Sequence, residues 1–182
     1  MRITALGTGM PNQTRAAVSI SYYVELGNGD KFIFDGGTGS DARIGALEIP
    51  YDLLDKIFIS HLHTDHWGSF PAYYVGGWVA GRVVPLRVWG PSGSRPELGT
   101  AYAMGHLQKA YTWDIEGRTG RLPPEGGKLE VREFDFKGNR VAVLGVGGGA
   151  AHRPGGLRAR AVSSGDVRRS RVRPTAAGRV RR

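Results

Sequence analysis

Residues 60–68 read Ser-His-Leu-His-Thr-Asp-His-Trp-Gly and follow directly on the apolar run Ile57-Phe58-Ile59. Three imidazoles and a carboxylate within six positions constrain the chain more than any other feature. The apolar run reads as a fully buried strand, and Gly68 with the residues after it reads as the start of a helix, so the donors lie on a strand-to-helix loop. Side chains two residues apart in extended chain point the same way, so His61 and His63 can share one ion. Asp65 and His66 fall where the chain turns and can face a second ion. Neutral imidazole nitrogen and carboxylate oxygen suit Zn²⁺, and with no cysteine in the chain a thiolate site is excluded. The competing reading is structural, with Asp65 capping the following helix. The density of the string favours metal.

Around this loop, strands and helices interleave. Residues 1–6 and 19–26 have the composition of strands, and Asn28-Gly29-Asp30 closes a hairpin onto a strand at 31–34. That strand runs into Asp35-Gly36-Gly37, a turn that supports its neighbourhood, and a short helical stretch follows. Ser69 is expected to cap a helix over 72–80, followed by a strand at 83–89, a helix over 97–111 with Ala101, Met104 and Tyr111 on one face, and a strand at 129–136. The result is an α/β domain over 1–137. His106 sits in the second helix, as a packed or surface residue or in the wall of a cleft.

From residue 138 the texture changes. Residues 1–137 carry 14 Lys and Arg against 15 Asp and Glu, whereas 138–182 carry 11 Arg against one Asp and contain no aromatic residue. The formal charge of +9 therefore belongs to this irregular Arg/Gly/Ala-rich tail. Two readings stand, a disordered basic segment or a non-native end produced by GC-rich codons read out of frame. No segment approaches the roughly 20 apolar residues that span a bilayer, and the expectation is a soluble, cytoplasmic chain without a membrane partner.

The loop resembles the signature of the metallo-β-lactamase superfamily. Leu6-Gly7-Thr8-Gly9 with Pro11, Phe34-Asp35-Gly36-Gly37 and Trp89-Gly90-Pro91 resemble its ribonuclease Z-like branch, in order, over residues 1–137. The resemblance implies the N-terminal half of an αββα sandwich, incomplete here. It implies two zinc ions, His61 and His63 on the first, Asp65 and His66 on the second, Asp65 also as the catalytic residue, and Asp35 as a buttress of the loop. It further implies hydrolysis of a phosphodiester or small ester by metal-activated hydroxide. In that family a third His, a bridging Asp and a last His come from the C-terminal half. Only His152 and Asp166 are candidates here, at spacings that look too short, and no histidine follows Asp166. Impaired catalysis is therefore expected, with a small ester favoured as substrate and RNA as an alternative. An uncovered sheet face is expected to favour a homodimer. The rival reading is a non-catalytic basic protein that binds nucleic acid through its Arg-rich tail.

Overall fold

The computed structural model describes residues 1–12, 14, 17–135 and 137. The segment 138–182, with His152 and Asp166, lies outside the described residues. Six strands, β1 (Arg2–Gly7), β2 (Ser21–Glu25), β3 (Lys31–Phe34), β4 (Lys56–Phe58), β5 (Leu86–Pro91) and β6 (Leu129–Phe134), form one sheet in the order of the chain. β1, β2 and β3 are antiparallel, and β3 to β6 are parallel. The β2–β3 hairpin closes as expected, with Gly29 at φ 91° and Asn28 Oδ1 accepting from the Asp30 N–H.

Side chains alternate across a sheet, so register decides which set is covered. Ile33, Ile57 and Val88 are paired across β3, β4 and β5 and are fully buried. They pack with Ile44 of α1 (Ser40–Ala46), with Phe70 and Tyr73, and with Met104 of α4 (Thr100–Ala110). Between these lie α2 (Thr64–Trp67), a π-helical segment Ala72–Gly76 and α3 (Gly77–Val79), and α5 (Thr112–Glu116) follows α4. Among the described residues, no helix is long and apolar enough to cross a membrane.

The opposite face is open among the described residues. Phe34, Phe58 and Trp89 stand side by side across β3, β4 and β5, with centroids 4.9 and 4.7 Å apart and planes 12° apart in each pair. Phe32 joins them at 5.8 Å from Phe58, with Lys56 Nζ 5.5 Å above its ring. Phe34 is 41% exposed. Phe58 is therefore not a core residue, against the expectation of a fully buried 57–59 run: Ile57 and Ile59 are covered and the ring between them is partly open. We expect Ile57→Ala to cost about 3 kcal/mol by leaving a core cavity, and Phe58→Ala about 1–2 kcal/mol, the loss of its stacking on Phe34 and Trp89. Urea denaturation of the two variants measures the contrast.

Three further expectations are corrected. β5 starts at Leu86 rather than at 83, and Val83 and Val84 are exposed in the turn before it. The helix over 97–111 is three pieces: a 3₁₀ turn at Pro96–Leu98, then α4, then α5 after Tyr111. On α4 Met104 is buried, Tyr111 beyond its end only partly so, and Ala101 exposed. Ser69 does not cap the helical run after it; its hydroxyl accepts from the Gly39 N–H at 2.9 Å and donates to Asp41.

Arg82, 1% exposed, holds the π-helical segment. Its guanidinium donates to the carbonyls of Tyr73 (2.8 Å), Tyr74 (2.7 Å) and Gly126 (3.0 Å). Burial pushes its pKa down to about 10. Tyr73, so anchored, donates to or accepts from Ser40 Oγ at 2.8 Å, and its ring lies under Gly36, where a Cβ would come within 3.0 Å of it.

Candidate metal centre

The site is built where β3 and β4 end side by side. Beyond Phe34, Asp35 adopts φ 58°, a left-handed conformation that Asp tolerates better than most residues. Its N–H donates to the Phe58 carbonyl at 2.8 Å, which ties it to the end of β4. Gly36 donates to the His66 carbonyl at 2.6 Å and accepts from the Ser69 N–H at 2.9 Å, so this turn grips the chain at the end of α2 and just beyond it. A Cβ at Gly37 would lie 2.1 Å from the Asp65 carbonyl oxygen, and glycine is required by that close approach.

On the β4 side the chain is extended at His63, with φ −70° and ψ 145°, which precedes the first turn of α2. No side chain caps that turn, so the capping reading of Asp65 is not realised. The His66 N–H donates to the His63 carbonyl at 2.9 Å, and Trp67 Nε1 donates to the Leu62 carbonyl at 3.0 Å, closing the loop on itself.

The four side chains come together as two pairs. His61 Nε2 lies 3.1 Å from His63 Nδ1, and His66 Nε2 lies 3.7 Å from Asp65 Oδ2. The pairs are adjacent, with the His61 and His66 ring centroids 3.9 Å apart. Two donors on one tetrahedral zinc at its usual bond lengths are about 3.3 Å apart, so both separations suit a shared ion. Among the described residues no group of three or more His, Asp, Glu or Cys side chains encloses an ion position. The four side chains stand as two pairs of potential donors. Burial, then the charges of His66 and His63, pushes the His61 pKa below its ordinary value, which favours the neutral ring that binds metal.

Behind the pairs stands a carboxylate. Asp35 Oδ1 accepts from the Ser60 N–H at 2.7 Å, and Oδ2 accepts from Ser60 Oγ at 2.8 Å and lies 2.9 Å from His66 Nδ1. Ser60 Oγ also lies 3.0 Å from His61 Nδ1. Such outer contacts orient metal-binding rings. In the sequence Ser60 is only the first letter of the string, and its place between a strand end and the first histidine is the one signal of its role. His106 is away from such contacts, exposed on α4 with Nδ1 2.9 Å from the Tyr102 carbonyl and its ring against Tyr102.

The family profile of the metallo-beta-lactamase superfamily matches residues 15–171. Ribonuclease BN of Cronobacter sakazakii is 27% identical over 136 residues, covering 74% of this chain and 45% of that protein. Ribonuclease Z of Methanococcus maripaludis is 30% identical over 125 residues, covering 68% of this chain and 40% of that protein. The chain thus spans less than half the length of these relatives. In fold it is similar to the short form of human tRNase Z, with TM-score 0.54 and 19% identity over 72% of this chain and 43% of that one. It is similar also to the metallo-beta-lactamase fold protein YhfI of Bacillus subtilis, with TM-score 0.50 and 14% identity over 78% of this chain and 48% of that one.

Proposed function

Because this chain belongs to the metallo-beta-lactamase superfamily, we propose that it carries the zinc-binding half of a hydrolase that cleaves phosphodiesters in RNA. The observation that carries this reading is the pairing of His61 Nε2 with His63 Nδ1 at 3.1 Å beside the Asp65 and His66 pair. His61 and His63 would hold one ion, and Asp65 and His66 the second. A divalent ion held there would supply Lewis acidity, to polarise a phosphoryl oxygen and to make water a nucleophile near neutral pH. Ser60 and Asp35 aim the rings, and the α2 turn sets the spacing between the two pairs. The curated relatives are named ribonuclease BN and ribonuclease Z, which favours RNA over the small ester suggested by the near-neutral charge of residues 1–137.

Among the described residues each ion would have two side-chain donors, which leaves its coordination sphere open, and weak zinc binding with slow turnover is the expected behaviour. The test is hydrolysis of an RNA phosphodiester by the full chain with zinc added. Slow cleavage that needs zinc and is lost in His66→Ala is the expected result. Cleavage without metal overturns the zinc assignment, faster cleavage of a carboxylic ester overturns the substrate, and zinc affinity typical of a closed four-donor site overturns the two-donor reading.

A further inference from the structure

Ser60 stands between three polar side chains, and it has one hydroxyl proton to share among them. Its Oγ is 2.8 Å from Asp35 Oδ2, 3.0 Å from His61 Nδ1 and 3.2 Å from His66 Nδ1. An ionised carboxylate only accepts, so the hydroxyl proton goes to Asp35, whose other oxygen already holds the Ser60 N–H at 2.7 Å. Having donated, Oγ faces His61 only as an acceptor, and that contact is a hydrogen bond only if His61 carries its proton on Nδ1. His66 Nδ1, 2.9 Å from Asp35 Oδ2, must likewise be the protonated nitrogen. Both rings then present a bare Nε2.

Taking the loop as ion-binding, as proposed above, we infer that Ser60 is a positioning residue that fixes the tautomer of His61 and so leaves bare its Nε2, the atom that lies 3.1 Å from His63 Nδ1. Asp35 fixes His66 in the same way through Nδ1.

The experiment is nitrogen NMR of the full chain with ring-labelled histidine, at about pH 8 where free imidazole is neutral, each ring assigned by single replacement. The expected spectrum shows His61 and His66 protonated on Nδ1, both before and after zinc is added. In Ser60→Ala the His61 ring loses its Nδ1–H preference and zinc affinity falls about tenfold, whereas Ser60→Thr, which keeps the hydroxyl, restores both. An Nε2-protonated His61 in the unsubstituted chain overturns the inference, as does a Ser60→Ala spectrum in which His61 is unchanged. Should Ser60→Ala not fold, the unsubstituted chain and Ser60→Thr still decide. Zinc binding with the wrong tautomers overturns the Ser60 inference alone. The expected tautomers with no measurable zinc binding overturn the metal reading and leave the Ser60 inference standing.

Discussion

Replacing His61 by alanine should lower zinc affinity at least about a hundredfold and leave the metal-free fold almost untouched. Loss of an outer-shell partner alone weakens a metal site about 10- to 100-fold, and His61 is itself one of only two donors in its pair. It is partly exposed and fills no core cavity, so its loss should move the unfolding midpoint by no more than about 2 °C. Its ring also lies against His63 and His66, and those neighbours disfavour its charged form. Truncation therefore relieves repulsion wherever these rings are protonated. Titration of zinc against a coloured chelator, beside thermal unfolding in excess chelator, measures both quantities. Unchanged zinc affinity in His61→Ala would remove the foundation of the proposed function.

Arg82→Met is expected to cost about 3–5 kcal/mol, at least as much as opening the core at Ile57, because unsatisfied buried carbonyls cost about 1–3 kcal/mol each. Methionine fills similar space but donates nothing, and three buried carbonyls, those of Tyr73, Tyr74 and Gly126, lose their guanidinium partner together. Arg82→Lys should recover only part of the loss, since an ammonium cannot reproduce the planar fork that reaches three oxygens. Because Tyr73 lies under Gly36, and Gly36 holds the His66 carbonyl, zinc affinity should fall in Arg82→Met even where the protein remains folded. Urea denaturation with an unchanged slope and a lowered midpoint would show the stability loss. A cost below about 1 kcal/mol would mean that water or repacking replaces the guanidinium at those carbonyls.

The parts of the molecule legible in the sequence are those written locally. The β2–β3 hairpin follows from Asn28 and Gly29, the turn at Asp35 from the two glycines after it, and the closeness of the His61, His63, Asp65 and His66 side chains from their spacing after a short apolar strand. What the sequence hides is tertiary. The start of α4 is set by a residue 32 positions away: Glu133 Oε1 accepts from the Ala101 N–H at 2.7 Å, and a Cβ at Gly99 would sit 2.5 Å from the same oxygen. Nothing in residues 97–111 announces that partner, so the pattern reads as one helix where there are three pieces. Phe58 is misread because three apolar residues in a row look the same whether a strand is covered on both faces or shows a ring on one. Nothing in the residues around Arg82 announces its role, and only the π-helical segment beside it gives its donors somewhere to go.

The rings of Phe34, Phe58 and Trp89 already rest on one another, with 12° between the planes of each pair. A surface that comes to lie on them gives up little further side-chain entropy on their account, so more of the apolar contact energy is retained in the complex. Anything that bound those rings in the folded chain alone would, by mass action, raise the folding free energy and with it the melting temperature.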